Sequence, residues 1–135
     1  MPLGRLPSIA MDVHEGQTRS YERTFSEDDI QRFAELSGDT GQQHVERDAE
    51  GRLMAQGLLT ATLPTKLGGD IDYIAHTLEF EFVRPVFAGD AITCESEIRS
   101  LTETDDRTLM ESVFVCHNGD GEVVMRGESE GMIPA

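Results

Sequence analysis

Asp39 and His44 are the side chains whose types best suit acid–base chemistry, and they stand five residues apart in a polar stretch, DTGQQHVERDAEGR, residues 39–52. A carboxylate and an imidazole can together hold a water and move its protons near neutral pH. A fully extended chain keeps two such residues ~17 Å apart. They meet over one water only if the segment curls back, and Gly41 permits a turn there. The spacing also fits a plainer arrangement, in which Asp39 finishes a helix and His44 is a solvated loop residue.

Other reactive types have weaker patterns. Asn118-Gly119-Asp120-Gly121-Glu122 lacks the ligand spacing of a calcium loop and reads as a hairpin turn. His76 and His117 sit in or beside apparent strands without a partner at ligand spacing, and His14 lies near the N-terminus. Cys94 and Cys116 form no CxxC pair and read as buried small apolar residues, so no metal role and no disulfide is expected. The Glu79-Glu81 and Glu95-Glu97 pairs read as the wet face of a sheet. No Gly-rich phosphate loop and no serine elbow is present, which argues against kinase and serine-hydrolase chemistry.

Two helical segments and a run of strands must position these residues. Residues 1–16, with Pro2, Gly4, Pro7 and Gly16, are expected to be a loose arm, and residues 17–135 a single domain. Residues 17–25 can form a first strand. Ser26 is an N-cap candidate, Asp29 a short variant of the capping-box acid, and Phe25 and Ile30 occupy the staple positions. Ile30, Phe33, Ala34 and Leu36 give one apolar helical face, which Gly38 ends. The stretch 39–52 reads as a long loop, a frequent place for function. Residues 54–69, MAQGLLTATLPTKLGG, are apolar or small on every side and predict a buried helix opened by Gly57 and closed by Gly68-Gly69. Pro64 is awkward inside it. Leu78, Phe80 and Phe82 alternate with polar residues as in a half-buried strand. Ile92, Cys94, Ser96 and Ile98 repeat the pattern, and residues 107–117 and 122–130 add two strands. The layout is α+β, an antiparallel sheet wrapped around a buried helix.

Composition narrows the function classes. The chain has 135 residues, with 26 Asp and Glu against 11 Lys and Arg, a formal charge of −15. Such a field repels phosphate backbones, so nucleic-acid binding is not expected. Lys66 is the single lysine, and the acidic, lysine-poor surface suggests adaptation to high salt, where screening relieves carboxylate repulsion. No membrane span or secretory signal is evident, which predicts a cytoplasmic protein.

FSEDDIQRFAELSGD, the His five residues after that Asp, the AQGLLTATLPTKLGG segment and YIAHTLEFEFVRPVFAGDAITCESEI together resemble the MaoC-like dehydratases, the (R)-specific enoyl-CoA hydratases. The resemblance spans about residues 17–130 and implies the hot-dog fold. The family pattern is Asp-x-Asn-Pro-x-His, then Ala-His-Gly-Met. It carries the catalytic pair onto Asp39 and His44 and the oxyanion-hole N–H onto Gly57. A supporting hydroxyl falls at Thr65. Gly41-Gln42 replace Asn-Pro, and Gln56 replaces the His before the glycine. Arg84 and Lys66 are candidate contacts for the phosphates of coenzyme A. The resemblance further implies an acyl-CoA or enoyl-CoA substrate, no cofactor beyond the coenzyme A of that substrate, and a homodimer or dimer of dimers. A thioesterase on the same fold and a non-catalytic acyl-CoA binding domain are the rival functions.

Overall fold

The computed structural model describes residues 13–135. The first helix forms where its sequence signals stand. Strand β1 (Thr18–Thr24) runs into helix α1 (Glu27–Ser37) through Ser26, whose Oγ accepts from the Asp29 N–H at 3.0 Å. Asp29 Oδ2 accepts in turn from the Ser26 N–H at 2.9 Å, so the shorter acid closes the box. Phe25 and Ile30 are fully buried, and Gly38 takes a left-handed φ of 78° and donates to the Ala34 carbonyl.

Two expectations about the helices need correction. The stretch 39–52 is not loop throughout, since Gln42–Val45 form one helical turn, α2. A single turn is too short to persist unaided and leaves no periodic signature; it is held from outside, as described below. The apolar segment 54–69 is not one helix either. It divides at Ala61 into α3 (Gly57–Thr60) and α4 (Thr62–Gly69). Pro64 supplies the reason. It cannot donate to a carbonyl of the preceding turn, so the chain restarts there, with Pro64 in the first turn of α4 where an N–H goes unused anyway.

Strands β2 (Ile74–Phe82), β3 (Ala91–Glu103), β4 (Arg107–His117) and β5 (Val123–Pro134) complete an antiparallel sheet of order β1-β3-β4-β5-β2. The helices pack on one face, and α4 touches β1, β2 and β3. The main core joins Phe25, Ile30, Leu63 and Leu67 to Ile92, Phe114 and Met125 of the sheet region, and a smaller cluster holds Ile71, Ile98, Met110 and Ile133. Cys94 and Cys116 face each other across β3 and β4, buried and free. Their mutual hydrogen bond, and then burial, push the Cys116 thiol well above its ordinary value, as suits a packing role. Of the N-terminal stretch, the described residues 13–16 are tied down, with Gly16 donating to Ile98 and Glu15 accepting from Leu101; residues 1–12 lie outside the description.

Strand β2 departs from the half-buried pattern. Leu78 and Phe82 are about half exposed, at 49% and 51%, because among the described strands β2 lies at the edge and pairs with β5 alone. Its pairing is unusually close at Gly127, opposite Phe80, where a Cβ would stand 2.0 Å from the Glu79 carbonyl and 2.8 Å from the Phe114 ring. Gly127→Ala should therefore destabilise the fold at or beyond the upper end of the roughly 1–3 kcal/mol typical of overpacking, read as a lowered denaturation midpoint. An unchanged midpoint would mean that β2 can shift freely on β5.

Candidate active site

The site is organised around one imidazole. Gly41 opens α2, its carbonyl accepting from the His44 N–H at 2.8 Å, and its N–H points to Asp39 Oδ1 at 3.4 Å. The turn buries His44 to 6% exposure while Val45 beside it stays open. The buried ring is fixed by residue 54: Nδ1 lies 2.7 Å from the Met54 carbonyl, and the Met54 N–H donates to the Gln43 carbonyl at 3.0 Å. A carbonyl only accepts, so the ring proton sits on Nδ1 and the lone pair on Nε2. That Nε2 faces Asp39 Oδ2 at 3.6 Å, with the Gln43 amide nitrogen at 3.3 Å. Residues five apart in sequence are thus brought together by a single helical turn, at a separation that a water can bridge.

Asp39 and His44 line an open cleft of about 470 Å³ with Gly57, Thr60, Phe82 and Arg84. Gly57 begins α3, and its N–H has no acceptor among the described residues. A first-turn N–H of this kind is available to a developing negative oxygen. Glycine is needed here for space: a Cβ would stand 2.9 Å from the Phe82 ring. Close packing of Phe82 on the Gly57 backbone sets one wall of the cleft.

The other candidates are distributed unevenly. Gln56 is buried and ties α3 to α1 through Nε2, which donates to the Ile30 carbonyl at 3.0 Å; it supports the backbone of the site without lining the cleft. Arg84 stands on the cleft rim, donating to the Val123 carbonyl and paired with Glu122 at 3.3 Å. Thr65 is not beside the pair. Its hydroxyl donates back to the Ala61 carbonyl, and it faces a separate chamber. Lys66 is also elsewhere, held by Asp70 at 2.6 Å and stacked on Tyr21, because α4 turns it away from the cleft. Sequence reading missed the Met54 carbonyl, Thr60 and Phe82. A backbone acceptor carries no residue-type signal, and only Phe82, on the apolar face of a recognised strand, was open to inference. Among the described residues no cluster of three His, Cys, Asp or Glu is arranged to hold a metal ion.

No protein-family model matches the chain, but curated relatives do. It is 36% identical to an (R)-specific enoyl-CoA hydratase of Rhodospirillum rubrum, over 92% of this chain and 90% of that one. It is 31% identical to a 3-hydroxybutyryl-CoA dehydratase of Methylorubrum extorquens, over 91% and 82%. Among solved structures it superposes on the (R)-hydratase from A. caviae involved in PHA biosynthesis with a TM-score of 0.79 and 26% identity, covering 89% of this chain and 96% of that one. The sheet curled about its helices is accordingly the hot-dog fold, and the chain belongs to the MaoC-like family of (R)-specific enoyl-CoA hydratases.

Proposed function

We propose that the chain adds water reversibly to trans-2-enoyl-CoA thioesters, and that Asp39 and His44 act together on that water. The carrying observation is the ring orientation, with Nδ1 committed to Met54 and the basic Nε2 turned to Asp39 across 3.6 Å. A water between them gives one hydrogen to Nε2 and the other to the carboxylate, leaving an oxygen lone pair for the β-carbon. The Gly57 N–H polarises the thioester carbonyl, which makes that carbon electrophilic and stabilises the enolate as the C–O bond forms. Nε2 takes the water's proton, the neighbouring carboxylate stabilises the imidazolium, and the pair returns the proton to the α-carbon. Arg84 at the rim is placed to meet a phosphate of coenzyme A.

Loss of enoyl absorbance from crotonyl-CoA measures the step. Asp39→Asn and His44→Ala should each reduce kcat/KM by about 10²–10⁴-fold, the usual contribution of a positioned acid or base, with no thiol released. Retained turnover in both folded variants would rule out the pair, and release of thiol would favour a thioesterase.

The working unit in this reading is a homodimer. Among the described residues the outer edge of β2 has no strand partner, and it carries exposed Ile74, Leu78 and Phe82 near exposed Leu58 of α3. An unpaired apolar edge is a template for another strand, and a second β2 is the self-complementary choice. Ile74→Glu should shift the mass seen by light scattering from two chains to one. An unshifted dimer would place the interface elsewhere.

We also infer that the protein works in concentrated salt. Every described arginine except Arg19, and Lys66, already has a carboxylate at ion-pair distance. The acids left over from the 26 can only repel one another. The melting temperature should rise steadily with KCl as screening shortens the reach of that repulsion. A flat salt dependence would count against the inference.

A further inference from the structure

A second cavity, of about 150 Å³, lies between α4 and the sheet and shares no lining residue with the catalytic cleft. Strand register explains where it sits. Tyr21, Cys94, Cys116, Met125 and Phe82 form one row across the sheet, and Arg19, Ser96, Phe114, Gly127 and Phe80 form the row two residues along. Ile98, Ser112, Ser129 and Leu78 form the row beyond that. Phe82 belongs to the cleft and Phe80 to the chamber, and their rings stack at 6.1 Å. On the helical side, Gly57 and Thr60 line the cleft while Pro64, Thr65 and Gly68 line the chamber, about two turns further on. The chamber therefore continues the seam between helices and sheet in which the cleft lies, and an acyl chain whose carbonyl is held at Gly57 has that seam as its path.

The chamber has apolar walls, including Ile71, Leu78, Phe80 and Met110, but a polar floor. Tyr73 Oη lies 3.2 Å from the Met110 carbonyl and 2.9 Å from Ser129 Oγ, and Ser129 Oγ lies 2.6 Å from Ser112 Oγ. Both serines are buried, at 6% and 4% exposure. Three hydroxyl protons have to be placed. All three are bonded only if Ser112 donates to Ser129, Ser129 to Tyr73, and Tyr73 to the Met110 carbonyl. Ser112 then accepts from nothing among the described residues. A ligand donor can fill that lone pair. A ligand acceptor can take the Ser112 proton only by breaking its bond to Ser129, so it adds no bond. An alkyl end does neither, and it walls Ser112 off from water.

We propose that this chamber receives the far end of the acyl chain, and that Ser112, backed by Ser129 and Tyr73, selects a short tail ending in a neutral hydrogen-bond donor, a hydroxyl, over a plain alkyl or ketone tail. The inference rests on the acyl-CoA reading of the cleft. Length is limited by volume, since a cavity of this size takes a group of about six carbons, such as benzene. Neutrality follows from the neighbours. Among the described residues no carboxylate lines the chamber, and the one cation that does, Arg19, stands on the opposite edge strand from β2, with its guanidinium donating to the Leu67 carbonyl.

Calorimetric binding of saturated thioesters tests the tail without requiring turnover. The CoA esters of hexanoic, 6-hydroxyhexanoic, 5-oxohexanoic and hexanedioic acids form the series. In the wild type the hydroxy ester should bind about tenfold more tightly than the hexanoyl and oxo esters, the effect of one added hydrogen bond of about 1.4 kcal/mol. Ser112→Ala should bring the three within about twofold of each other, whereas Ser112→Thr, which keeps the hydroxyl, should retain the preference. Equal affinities in the wild type would overturn the proposal, and so would tightest binding of the hexanedioic ester, which would assign the chamber to Arg19 and an anionic tail. Hydration of hex-2-enoyl-CoA is measured in parallel. A tail preference without hydration defeats the hydratase reading alone, and hydration without a tail preference defeats only the selectivity.

Discussion

The hydrogen bond from His44 Nδ1 to the Met54 carbonyl is the interaction on which the site depends. It settles which ring nitrogen carries the proton, and therefore which one can act as a base. Together with the Met54 N–H bond to the Gln43 carbonyl, it pins a four-residue helix, α2, that has neither a side-chain cap nor enough turns to be stable alone. Met54 is itself held by the chain that crosses beside it, where Leu53 and Ala55 exchange backbone bonds with Ala88 and Val86. The geometry of the pair is thereby referred to the segment 86–88, where Met54 forms an isolated bridge with Phe87.

Small residues where the helices and the edge strand approach closely make the rest of the architecture possible. Gly57 lets the Phe82 ring lie against the start of α3, and Gly127 lets β2 and Phe114 close on β5. Phe82 and Gly127 stand on successive rows of the same sheet face, so the Phe82 and Phe114 rings fill the space that side chains at the two glycines would otherwise occupy. Pro64 cooperates by ending α3 early. The break turns α4 onto the sheet, which leaves α3 over the cleft and α4 over the chamber. One interrupted helix thereby serves two cavities.

Elements with local chemistry were legible in the sequence. The Ser26–Asp29 box, the Phe25–Ile30 staple and the Gly38 cap each depend on neighbours a few residues away, and each forms as its spacing predicts. The alternating strands were readable for the same reason. What escaped depends on distant partners. A lone helical turn at Gln42–Val45 has no period to detect, and its anchor is a carbonyl ten residues on. The exposure of β2 depends on its place at the edge of the sheet, which pattern alone cannot assign: Leu78 and Phe82 alternate as a buried face does, yet each stays about half exposed. Within the site, Asp39, His44 and Gly57 were identifiable and come together, whereas Thr65 and Lys66 lie on the part of the helix that Pro64 redirects.

The departures from the family pattern bear on how such a pair can be held. An Asn-Pro dipeptide between the Asp and the His would stiffen the chain directly, through the fixed φ of proline. Here Gly41-Gln42 provide no such restraint, and the same closure is reached by hydrogen bonds: Gly41 N–H to Asp39, His44 N–H to the Gly41 carbonyl, and the ring to Met54. Gln56, in place of a second imidazole, uses its amide to join α3 to the Ile30 carbonyl of α1. Its Oε1 finds no donor among the described residues, an arrangement that ordinarily costs about 1–3 kcal/mol. What the Gln56 bond fixes is the start of α3, where the Gly57 N–H has no acceptor among the described residues. The local stiffness absent at residues 41–42 is replaced by tertiary bonds that converge on the same three groups, the Asp39 carboxylate, the His44 ring and the Gly57 N–H.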